Sequence, residues 1–295
     1  MNNEITIVYH LGAPFADNGK VTWSLRKDIK LLSELGTMLR RPKTYRTLLS
    51  DMITKLAGGK ATIEDQKSLF SAIIKQEDVD RLILSNSKFL GMPAWMFYRG
   101  TLYQNVENNI SAIRNLFPDN PCELFLGIVN PASFIPTSFK AQTDKTYEEF
   151  LDGTDIISVN WSNVIARIQK ACPECPITVW CNEDTPIVWP TVLREIAGFD
   201  SQTRLIGELD VIQEIISQEG FDRLTSYLDE HAELTEIQRR RIRAAFLEKF
   251  FINEAVEEEI DLPGWTEETV ALISENYEED IRNIEHMPGV NFISL

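Results

Sequence analysis

His10 ends an alternating, β-branched run that includes Ile5, Ile7 and Val8, and Gly12 turns the chain two residues later. Loop-like sequence follows through Pro14 and Asn18-Gly19, with Lys20 and Thr22 at the start of a helix. A strand, a small-residue loop and a helix start aim backbone N–H groups at an anion. Gly12, Asn18, Gly19 and Thr22 are therefore candidate anion-cradle residues. Lys20 is the cation at the end of this loop. His10 is a candidate base, because its side chain titrates near neutral pH, and its alternative role is a hydrogen-bonded strand-end residue. The spacing G-x-x-x-x-G-K-[ST] is absent: six residues separate Gly12 from Gly19, and Val21 separates Lys20 from Thr22. Asp17, inside the loop, would repel a phosphate.

Other chemistry-bearing residues are spread along the chain. Glu183 and Asp184 follow a strand-like run, placed for proton transfer, for metal ligation or for capping the turn before Pro186. His231 and His286 fall in surface-type helices, so a three-histidine metal site is not expected, and no metal is. Cys172 and Cys175 form a lone CPEC with no second pair or nearby histidine, which reads as reduced loop thiols. Cys122 and Cys181 sit in buried-strand sequence, where a thiol acts as a small hydrophobe. Arg239, Arg240, Arg241 and Arg243 form the strongest basic cluster and are expected to neutralise acidic helices such as Glu257–Glu259. Trp23 and Trp95 are the aromatics placed to face a ligand ring.

Composition narrows the partners. The chain has 295 residues and a formal net charge of -16, from 45 acidic against 29 basic residues. A field of that sign repels nucleic acid and anionic membrane lipid, and admits an anionic nucleotide only where a local basic patch overrides it. The first residues, MNNEITIVYH, have no basic leader region, and no apolar run approaches the roughly 18 residues of a bilayer span. With the thiols read as reduced, the expected location is cytoplasmic.

The elements that must position these residues alternate over the first two thirds. Strand-like runs lie at about 4–10, Arg81–Ser85, Glu123–Val129 and Ile177–Cys181. Between them, helical periodicity predicts helices from near Thr22 to a stop at Gly36, at 43–57, 63–76 and 104–117, after Asn130-Pro131, at 161–171, and up to Ala197-Gly198. Lys88–Leu102 reads as a loop or short helix. This order predicts an α/β fold, a doubly wound parallel sheet flanked by helices. Beyond Gly198 the pattern is helical, near 208–218, 220–230, 235–252 and 266–285, and VNFI at 290–293 reads as a terminal strand. The division is one domain over 1–295: a sheet core at 1–200, a helical cap at 201–289 and the terminal strand. Ligands in such sheets bind beyond the carboxyl ends of the strands, here 10–22, 86–91, 130–138 and 182–186.

In that context the sequence resembles the sulfotransferase family. The first family motif is matched by His10-Leu11-Gly12 with Ser24-Leu25 closing it, and the second by Leu84-Ser85-Asn86-Ser87. The third is matched by Val129-Asn130-Pro131 through Thr137-Ser138, and a later one by Cys181-Asn182-Glu183-Asp184 with Val192–Gly198. The likeness covers 1–200 in scattered pieces. It implies a P-loop-type sheet, 3′-phosphoadenosine-5′-phosphosulfate as donor, and a hydroxyl or amine acceptor on a small molecule or glycan. Lys20 and Thr22 would take the loop roles, Thr137 or Ser138 would contact the 3′-phosphate, and His10 or Glu183 would be the base. Phe15 stands at the family's lysine position, Val129 at its phosphate-gripping arginine and Ser87 at its glutamate. A valine offers no cationic fork for a phosphate, so the second expectation is a non-catalytic binding module on the same fold.

Overall fold

A computed structural model describes residues 5–13, 16–142, 144–252 and 262–295. The chain opens with β1 (Thr6–His10), α1 (Lys20–Lys27), α2 (Ile29–Glu34), β2 (Thr37–Leu39), α3 (Arg46–Leu56), α4 (Ile63–Ile73) and β3 (Arg81–Ser85). A small hairpin, β4 (Phe97–Tyr98) and β5 (Thr101–Leu102), precedes α5 (Val106–Arg114) and β6 (Cys122–Ile128). Next come α6 (Pro131–Lys140), α7 (Tyr147–Leu151), α8 (Trp161–Ala171), β7 (Ile177–Cys181) and α9 (Thr185–Ala197). The described chain closes with α10 (Asp210–Gln213), α11 (Gln218–Glu230), α12 (Glu236–Phe250), α13 (Glu267–Glu285) and β8 (Val290–Ile293).

The sheet has six strands in the order β2-β3-β1-β6-β7-β8, and every pairing in it is parallel. β1 is therefore internal. Alternation along the strands divides the core in two. Val8, Ile83, Phe125 and Trp180 face α1 and α9, whose Val21, Leu25, Val188 and Leu193 are fully buried against them. Ile7, Tyr9, Leu82, Leu124 and Val179 face the opposite layer, built from α5, α8 and α13 among others. Chain order reverses direction at β1: one connection leaves it for β2, and the connection from β3 crosses to β6 on its other side. That is the topological switch point where open α/β sheets form a crevice.

Several local expectations change in three dimensions. The helix expected to run unbroken to Gly36 is two helices, broken at Asp28, whose carboxylate accepts the Ile206 N–H at 2.9 Å. Leu25 and Leu32 are buried as the periodicity requires, whereas Ile29 and Leu35 are exposed. β2 is a three-residue strand that the sequence pattern does not announce. Cys172 and Cys175, expected as reduced loop thiols, are joined in a disulfide. A turn hydrogen bond from Cys175 N to Cys172 O (3.1 Å) brings their Cα atoms to 5.5 Å, inside the range a disulfide spans.

The arginine cluster pairs with Glu236 and with polar groups inside the fold. Arg243 is buried and donates to Glu236 and to the Ile187 carbonyl (2.8 Å), while Arg240 donates to Ser294 O and Thr191 Oγ1. Arg194 of α9 pairs with the same Glu236 at 2.6 Å. The cluster ties α12 to α9 and to the chain end; Glu257–Glu259 lie outside the described residues. No helix among the described residues is long and apolar enough to cross a membrane.

Candidate functional site

A cavity of about 640 Å³ opens at the carboxyl ends of β1 and β3, at the switch point. Its walls come mostly from three short stretches, with Pro93 added from the chain before β4. His10, Gly12, Asp17, Asn18, Gly19, Thr22 and Arg26 come from the β1–α1 segment, Arg41 and Arg46 from the chain after β2, and Ser85 and Ser87 from the end of β3.

His10 is held in place from two sides. Its Nδ1 lies 2.9 Å from Ser85 Oγ, and its ring stacks on Trp180 with centroids 6.0 Å apart. Burial lowers its pKa below the usual 6.5, partly opposed by the Asp17 carboxylate, so the imidazole favours the neutral form. Beneath it, the Tyr45 hydroxyl accepts from Ser85 N (2.7 Å) and donates to Ser85 O (2.8 Å), fixing the strand end.

The loop itself is organised around Asp17. Its carboxylate accepts from Gly19 N (3.2 Å) and Val21 N (3.1 Å), so two amides at the start of α1 are taken by an internal anion. Gly19 reaches φ +82°, the left-handed conformation that a residue with a Cβ rarely adopts, and this lets the chain fold back over the carboxylate. The amide cradle expected at Gly12–Thr22 is thus engaged by the protein's own side chain. Phe15 and Pro14 lie outside the described residues.

The cavity's positive charge comes from residues that the sequence reading passed over. Arg26, Arg41 and Arg46 line it. Among the described residues, no ion pair engages any of the three. Thr22 also lines it and is 8% exposed; its hydroxyl is buried with no hydrogen-bond partner. A second hollow of about 380 Å³ shares Arg26 and Arg41 and adds Lys75 and Arg40, whose buried Nε also lacks a partner. A third, of about 490 Å³, shares Arg46 and adds Lys88, Phe89 and Met92. The signal in the sequence was Arg40-Arg41-Pro42-Lys43-Thr44-Tyr45-Arg46, four cations in seven residues of an acidic chain.

Of the residues selected from sequence, His10, Gly12, Asn18, Gly19 and Thr22 come together in this cavity. Lys20 does not line it; its ammonium pairs with Glu214 of the α10–α11 connection at 2.5 Å. Glu183 stands at the end of β7, where it accepts from Asn130 N (2.7 Å) and from the Tyr277 hydroxyl (3.0 Å), binding β6 and α13 to that strand end. Desolvation raises its carboxyl, and desolvation plus the charges of Glu183 and Glu278 push Asp184 up to about 6. Ser138 is buried in α6, and neither it nor Thr137 lines the cavity. Trp23 is on the cavity rim with Lys27 Nζ 3.8 Å from its ring centre, whereas Trp95 carries Lys145 and lies outside the lining. Val129, at the family's arginine position, is buried, and its carbonyl accepts from Trp161 Nε1.

Comparison with family models, with curated proteins and with solved structures finds no match to this chain.

Proposed function

We propose that the protein is a binding module on a sulfotransferase-like, P-loop-type fold, and that its crevice takes a small phosphate- or sulfate-bearing molecule without transferring a group from it. The observation that carries this reading is that Arg26, Arg41 and Arg46, free of ion pairs among the described residues, line one cavity. Arg41 and Arg46 are exposed to meet a ligand, and the fork geometry of a guanidinium suits phosphate and sulfate oxygens. The volume of about 640 Å³ lies within the range of small-molecule sites. Trp23 on the rim supplies a ring face for a base. Against transfer stands the engagement of Lys20 with Glu214, away from the cavity.

A second reading, sulfuryl transfer from 3′-phosphoadenosine-5′-phosphosulfate to a hydroxyl or amine acceptor, is favoured by one feature. His10 lines the same cavity with a neutral imidazole, ready to take the acceptor's proton. In that case the arginines, in place of Lys20, would stabilise the charge that develops.

Thermal melting with 3′-phosphoadenosine-5′-phosphate tests both. A site filled at about 100 times its Kd adds about 2.7 kcal/mol. Arg46→Ala is expected to weaken binding about tenfold, in line with loss of a charge-assisted hydrogen bond, and Lys20→Ala to leave it unchanged. No shift at millimolar ligand sinks the site. A sulfated product that disappears in His10→Asn, with binding retained, would establish transfer instead.

A further inference from the structure

The lone CPEC of the sequence acquires a third sulfur only in the fold. Cys122 opens β6, Cys172 and Cys175 occupy the turn between α8 and β7, and parallel pairing sets the two strand starts side by side. The three sulfur atoms lie within 4.8 Å of one another, and all three residues are buried. A zinc-type ion with about 2.3 Å bonds to thiolates holds its sulfurs roughly 4 Å apart; the Cys122 sulfur already lies within 4.8 Å of the other two, and reduction lets the bonded Cys172 and Cys175 sulfurs part to that spacing. We propose that Cys122, Cys172 and Cys175, once the Cys172–Cys175 bond is reduced, form a thiolate site for one thiophilic metal ion of the zinc or cadmium class.

Local chemistry supports this. The C-x-x-C pair supplies the usual half of a thiolate site, and the strand supplies a ligand fifty residues away in sequence. Three thiolates on a divalent ion leave one excess negative charge. The Arg114 guanidinium stands beside the cluster and is fixed there by Glu174 (Nε to Oε1, 2.9 Å) and by the carbonyls of Phe117 and Pro118. Its charge acts on Cys122, against those of Glu174 and Glu123. The site lies at the amino ends of β6 and β7, and the arginine cavity lies at the carboxyl ends of β1 and β3, so neither proposal depends on the other.

The chemistry balances in two steps. A phosphine or dithiol donates two electrons, and with two protons the disulfide becomes two thiols. One divalent ion then replaces three thiol protons, which are released to solvent. The test uses the full chain, reduced with a phosphine, freed of excess reductant and titrated with cadmium(II) under argon. The expected result is a thiolate-to-cadmium charge-transfer band that saturates at one equivalent, with a rise in Tm. Cys122→Ser is expected to lose the Tm rise and weaken apparent affinity at least tenfold, whereas Cys181→Ser titrates like the parent. Cys172→Ser provides the same reading should Cys122→Ser fail to fold. No band in a chain whose four thiols all react with a thiol reagent would overturn the proposal. So would a Cys122→Ser or Cys172→Ser variant that binds cadmium as the parent does.

Discussion

His10 carries a consequence for pH that follows from its surroundings. Its pKa lies below the 6.5 of the unfolded chain because Ser85, Trp180 and the strand around it exclude water. As pH falls through about 6.5, the unfolded chain takes up a proton that the native imidazole refuses. Stability is thereby lost until the native group also protonates. Asp184 acts in the opposite direction: raised from 3.8 to about 6, it binds a proton in the native state first, so stability is gained as pH falls across that interval. The two windows overlap, and substitution separates them. His10→Gln is expected to remove the part of the acid-side loss that begins at about 6.5, while Asp184→Asn removes the opposing gain. Urea unfolding at a series of pH values measures both, and a His10→Gln profile parallel to the parent would show that the imidazole is not the group responsible.

At the scale of elements, the approach of the 205–210 segment to α1 is tight enough to test. Ser24 Oγ donates to Asp210 (2.7 Å), Lys27 pairs with the same carboxylate at 2.5 Å, and Trp189 Nε1 reaches Ser24 Oγ. A Cβ on Gly207 would stand 2.7 Å from the Ser24 backbone oxygen and 2.8 Å from its Cα. Gly207→Ala is therefore expected to cost about 1–3 kcal/mol, as overpacking does. Differential scanning calorimetry should show a lower Tm, and an unchanged Tm would mean that the segment moves aside freely. The same scale explains what the sequence concealed. β2 has three residues, Thr37–Leu39, too few to display alternation, and without that strand nothing marked its carboxyl end as part of the crevice. Arg41 and Arg46 follow directly from that end, and so they were missed together with the strand. Lys20 failed to reach the cavity for a related reason: the first turn of α1 presents it to Glu214, a residue nearly two hundred positions away.

For the whole molecule, the relevant contrast is between a net charge of -16 and a cavity rimmed by three arginines. The distributed negative charge slows the approach of an anionic ligand, while the local guanidinium groups hold it once seated. Both effects are screened over a Debye length of about 8–10 Å at 0.10–0.15 M salt. The guanidinium groups line the cavity itself, so the local attraction is expected to dominate the equilibrium. The Kd for 3′-phosphoadenosine-5′-phosphate should rise several-fold between about 0.05 and 0.5 M salt, as isothermal titration would record. A Kd indifferent to salt would place binding away from the arginines.

Sequence alone was sufficient for the parallel α/β architecture. β3, α8 and β7 begin and end where apolar runs and helical periodicity place them, because burial of a strand or a helix face imposes a repeat that survives in one dimension. Asn130 and Pro131 likewise announce the start of α6, because capping is a contact between near neighbours. Only the tertiary structure decided which residues meet. It brought Arg26, Arg41 and Arg46 to one cavity, turned Lys20 and Glu183 to other partners, closed the α1 amides with Asp17, and set Cys122 beside Cys172 and Cys175. Apart from the Asp17 turn, those juxtapositions depend on strand order and helix docking. Neither leaves a periodic trace in the chain, since residues that touch across a sheet can be separated by any number of positions along it.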